Sequence, residues 1–165
     1  MESQDVLVLA AELGIGLAGF ASLSAALRAR VTDDRNRFQR ARVSTLVITS
    51  LGVSFMAFLP MVLSLALADD RLLWRLVSAL CGTWHLLTLI EHLRSVADFR
   101  TQPDFSPGAA ALAAIAFTTS IGLNAFNAFS AATSWPFLGA LLCALLVAGS
   151  RFVQLVDSLW ADDDG

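Results

Sequence analysis

The sequence predicts an all-α integral membrane bundle of five transmembrane helices, and three observations predict it. Hydrophobic residues make up 56% of the 165 residues and charged residues only 15%, against roughly 25% charged in soluble domains. Mean hydropathy is +0.68. From Asp104 to Arg151 the chain carries no charge between its two ends, longer than the ~20 apolar residues one bilayer span needs. The same figures exclude a disordered chain, a collagenous one and a disulfide scaffold.

Each span is read from its uncharged run. The first covers about 6–27, interrupted only by Glu12. The second, about 44–68, holds Pro60, which should kink it and free the Met56 carbonyl. The third, about 72–94, is the weakest, because Arg75, Glu91 and His92 flank its apolar centre. A count of four applies if that segment lies at the surface. The long uncharged stretch divides at Ser130–Pro136 into a fourth span, about 108–129, and a fifth, about 136–158. All belong to one transmembrane domain, 1–165, whose connections leave no room for a soluble unit.

Charge placement orients the bundle. All eleven basic residues are Arg, and six of them fall between Arg28 and Arg42, behind the first span. Arg94 and Arg100 follow the third span, while only Arg71 and Arg75 lie at the opposite end. Because basic loops stay on the cytoplasmic side, the N-terminus is expected outside and the C-terminus, with Asp162–Asp164, inside. Trp74 and Trp135 then mark the outer edge and Trp160 the inner one. The start, Met-Glu-Ser-Gln-Asp, lacks the basic region of a cleavable signal, so the first helix is expected to be retained.

Gly14-Ile-Gly16-Leu-Ala18-Gly19 matches the spacing of a dinucleotide-binding turn. Glu12 and Leu13 separate it from the preceding apolar run and no βαβ sequel follows, so a packing role is the better reading. Gly14 and Ala18 form a small-xxx-small pair, with Gly16 and Gly19 beside it, letting another backbone approach closely. The opening Ala11-Glu12-Leu-Gly14-Ile-Gly16-Leu-Ala-Gly19-Phe20, with the Arg-rich loop behind it, resembles small uncharacterised bacterial multi-pass membrane proteins. That resemblance implies a bacterial inner (plasma) membrane and no activity.

Ionisable groups inside spans are costly and usually face protein or water. Glu12 shares a helical face with Gly16 and Gly19 and should point toward a close neighbour, either as an outer-leaflet cation site or paired with Arg75 or Arg71. Arg71, Arg75, Ser78, Cys81 or Gly82, His85, Thr88 and His92 recur at steps of three and four along the third helix, with Glu91 and Ser95 beside its inner end. Two readings follow. In one the stripe is a proton path with His85 as the switchable group. In the other it is structural, with His85 bonded to a neighbouring Thr or Asn and Glu91 paired to Arg151. Ser120, Asn124 and Asn127 share a face of the fourth helix, and either line a vestibule or join helices.

No metal or other cofactor is expected. Cys81 and His85 lack a third ligand, and His85 and His92, ~10 Å apart along the axis, cannot both bind one haem. A Cys81–Cys143 disulfide is conceivable by depth alone. No nucleophile–base pair, phosphate loop or paired carboxylates point to an enzyme. The expected role is a structural or accessory membrane component that self-associates through its first helix. The alternative is a homo-oligomeric ion or proton channel, or small transporter, using the third-helix stripe. The lipid bilayer and further copies of the chain are the expected partners. Nucleic acid is not, and no small-molecule substrate is identifiable.

Overall fold

In the computed structural model, which describes residues 3–28, 35–102 and 105–160, the chain is helical almost throughout and these residues form no strand. Five long helices follow in order: α1 Ser3–Arg28, α2 Arg35–Leu63, α3 Asp70–Phe99, α4 Pro107–Phe126 and α5 Ser134–Trp160. Each contains a segment long and apolar enough to cross a membrane, Asp70–Phe99 included, so the count of four falls away. Large apolar side chains cover the outside, with Phe129 83%, Ile115 65% and Phe55 64% exposed. A soluble monomer rarely shows such continuous apolar surface, whereas lipid tails accept it.

Two boundaries differ from those read in the sequence. The region expected as an Arg-rich loop is helical from Arg35 onward, because α2 begins nine residues before its apolar run and ends at Leu63. Alternating Arg with Asn, Phe, Gln and Ala leaves nothing that breaks a helix there. Pro60 lies only three residues from the end of α2, so its missing N–H falls where the helix is about to stop. The third helix, at 30 residues, is ~45 Å long and overruns a hydrocarbon core of ~30 Å. Residues 29–34 of the Arg-rich region, the acidic tail and the side chain of Trp160 lie outside the described residues.

Local chemistry sets several ends. Asp69 caps α3, accepting from the Arg71 and Leu72 backbone N–H groups. Ser106 caps α4 through the Ala109 N–H, with Pro107 at the first helical position, where its missing donor costs nothing. At its far end α4 widens into a π-helical turn, Asn127–Ala131, closed by Ala132 in the left-handed region at φ 51°. A non-glycine residue held there is strained, by about 1 kcal/mol. The Asn127 side chain holds the turn: its amide donates to the Thr133 carbonyl, and its Oδ1 accepts from the Thr133 N–H, both at 2.8 Å.

The fifth helix touches all four others, whereas α4 makes no contact with α1 or α2 among the described residues. The main core, at the end holding the α2–α3 and α4–α5 turns, joins Leu7, Val53, Ala57, Val77, Phe137 and Leu141. At the opposite, Arg-rich end a smaller cluster joins Ala21, Leu46, Ala148 and Leu155. The first two helices form a close hairpin. Leu7, Ala10, Ala11, Ala18 and Ala21 are buried. A Cβ on Gly14 would lie 2.6 Å from the Ser50 carbonyl oxygen and against Ser54 Oγ. Ser54 in turn donates to the Ala11 carbonyl at 2.9 Å.

Candidate functional site: a buried polar ladder and a lateral cavity

The stripe expected on α3 divides at Ser78. Arg71 and Arg75 face outward and are exposed, while Ser78, Cys81, His85 and His92 are buried. The buried part meets the polar face of α4. At the turn end, Asn127 donates to Ser78 Oγ at 2.7 Å. One step deeper, Ser120 Oγ lies 2.8 Å from His85 Nδ1 and 3.1 Å from the Ala140 carbonyl of α5. A carbonyl only accepts, so with the hydroxyl proton given to Ala140, Nδ1 carries the ring proton and donates to Ser120. Asn124 donates to the Ser120 carbonyl at 3.0 Å, and Cys81 Sγ lies 3.5 Å from Nδ1. Gly82 permits this approach, since a Cβ there would stand 3.1 Å from Asn124 Cβ.

His85 is fully enclosed, at 0% exposure, with Trp84 and Phe117 packed beside its ring. His92 repeats the arrangement lower down. Its Nε2 lies 3.0 Å from the Ala110 carbonyl, so Nε2 holds the proton and Nδ1 accepts from Arg151 Nη2, 3.4 Å away. These rungs tie α3 to α4 and α5 across most of the span. Each interhelical hydrogen bond in lipid contributes ~0.6 kcal/mol on average.

Several expectations about charged partners require correction. Glu12 is exposed on the outside of the bundle and, among the described residues, makes no salt bridge with Arg71 or Arg75. Gly16 and Gly19, expected to pack closely, have nothing within 4 Å of where a Cβ would stand, and only Gly14 and Ala18 of that motif are buried. The reason is register: α1 turns Ala10, Gly14, Ala18 and Ala21 toward α2, which leaves Glu12, Gly16 and Gly19 on the other side. Glu91 pairs with Arg94 one turn away, at 2.7 Å, instead of with Arg151. Arg151 reaches His92 and Gln154, the latter at 3.3 Å. Cys81 and Cys143 are both free, and no group of three metal-ligating side chains occurs among the described residues.

Where α2 and α3 separate at the Arg-rich end, a cavity of about 590 Å³ opens. Higher up, the two helices meet closely, with the Trp84 indole lying against Gly52. Below that contact Thr45, Thr49, Thr88, His92 and Arg151 line the space, and Glu91, Arg94 and Asp98 stand at its mouth. The α2 hydroxyls escape a sequence reading because 44–68 registers as uncharged and apolar. Ser44, Thr45, Thr49, Ser50 and Ser54 all lie in its first half, and that density of hydroxyls is the signal. Comparison with protein-family models, curated proteins and solved structures gave no match.

Proposed function

We propose that the chain is a structural or accessory component of a bacterial inner membrane, oriented with its N-terminus outside, that associates with further copies of itself and performs no catalysis. The enclosure of His85 carries this reading. A proton path needs a group that water reaches from both sides, and the ladder instead spends its donors on neighbouring helices. Self-association rests on the outward face of α1. Glu12 lies there, about nine residues into the helix, with Gly16 and Gly19 beside it and open space above both. A carboxylate at that depth is costly against lipid, and bare glycines let a second backbone come close.

Reconstitution of the full chain in proteoliposomes tests both parts. With Gly16→Cys, oxidation is expected to give a cross-linked dimer, and wild type is expected to conduct no more than protein-free bilayers. Absence of the cross-link removes self-association through α1. A current abolished by Glu12→Gln or His85→Ala replaces the structural reading with a channel.

A further inference from the structure

We infer that the cavity between α2 and α3 is a binding site for one phospholipid with a phosphoethanolamine headgroup. Thr49 lines the cavity, is 1% exposed, and its Oγ1 has no hydrogen-bond partner among the described residues. A buried hydroxyl without a partner is unfavourable unless a ligand or water accepts its proton. A glycerol ester carbonyl is such an acceptor.

The walls are graded as a lipid is graded. Toward the middle of the bundle they are apolar, with Ile48, Trp84 and Leu87, and the exposed Ile48 and Leu87 open the space sideways to the bilayer core. Toward the Arg-rich end they become polar and charged. A volume of about 590 Å³ falls within the ~300–1,000 Å³ typical of ligand sites. Basic pockets between spans are a recurrent way of holding lipid headgroups.

Charge selects the headgroup. Two guanidinium groups, Arg94 and Arg151, and two carboxylates, Glu91 and Asp98, line the same cavity. Glu91 and Arg94 are engaged with each other at the rim. Arg151 and Asp98 match a zwitterion: Arg151, half-buried and already held by His92 and Gln154, adds the phosphodiester to its guanidinium contacts, and Asp98, at the exposed mouth, takes the ammonium. An uncompensated anionic headgroup would meet Asp98 instead. Among the described residues the cavity lining includes none from α1, so lipid binding and self-association through α1 stand or fall separately.

The test is native mass spectrometry of the purified full chain in detergent with palmitoyl-oleoyl phosphatidylethanolamine, the corresponding phosphatidylglycerol, and free phosphoethanolamine. Wild type is expected to hold one phosphatidylethanolamine, in preference to phosphatidylglycerol, with no displacement by the free headgroup. Arg151→Gln is expected to weaken that adduct by roughly tenfold, as loss of a charge-assisted bond does. Ser44→Phe changes an exposed residue of the lining, so it fills the mouth without disturbing the core, and is expected to remove the adduct at unchanged melting temperature. The proposal is overturned if the adduct survives Ser44→Phe, or if phosphatidylglycerol binds as tightly. It is also overturned if free phosphoethanolamine alone occupies the site.

Discussion

Between α1 and α2, contact is made by shape: alanines and Gly14 bring the backbones together, and only Ser54 reaches across with a hydrogen bond among the described residues. Between α3 and its neighbours α4 and α5, contact is made by polarity: Asn127 to Ser78, Ser120 to His85 and to Ala140, His92 to Ala110. Both seams face the same difficulty. Lipid tails are as apolar as leucine, so burying leucines against one another gains little, and helices must be joined by fit or by hydrogen bonds. Fit is intolerant of added volume and indifferent to polarity. The ladder has the opposite sensitivities.

Substitutions can separate the two. The largest effect is expected at Gly14→Leu, where the new side chain meets the Ser50 carbonyl, a backbone atom that cannot rotate away. Overpacking of this kind should reduce stability by about 3 kcal/mol, read as earlier unfolding in mixed micelles with rising dodecyl sulfate. Gly122→Leu, on α4 and facing open space, is the matched control and should leave the transition unchanged or slightly later. Equal losses at both positions would mean that α1 is not held by fit. Next comes Asn127→Ala, which removes three hydrogen bonds at the α4–α5 turn and should lower stability by about 2 kcal/mol on the same assay. Smallest is Ser120→Ala, expected near ~0.6 kcal/mol, the average for one such bond. A loss several times greater would show that the rungs reinforce one another and that the ladder acts as a unit.

Fold class and span count are legible in the sequence because they depend on runs of apolar residues and on gaps between charges, which are local. The face of α3 that carries chemistry is legible for the same reason: Ser78, Cys81, His85 and His92 lie at helical spacing. Which helix those residues meet is not. Glu91 finds Arg94 on its own helix before it finds anything across the bundle, and Glu12 turns away from Arg75 because Gly14 and Ala18 set the rotation of α1. Partner choice depends on the rotation and tilt of five helices at once, and one chain's periodicity leaves those free. The cavity beside α2 is hidden for a further reason, since a void is made by residues that fail to touch, and no residue type announces that.

The position of α5 has a consequence for assembly. It follows the other four in the chain, yet it is the helix that touches all of them. Helices that insert before it form two hairpins, α1 with α2 and α3 with α4, which among the described residues meet only along α2 and α3, where Leu73 and Val77 share the core with Val53 and Ala57 and Trp84 lies on Gly52. Until the fifth span enters, the Ala140 carbonyl has not reached Ser120, Phe137 has not sealed the core, and Arg151 has not met His92. The order of synthesis thus makes α5 a keystone: two paired hairpins become a single bundle when it inserts.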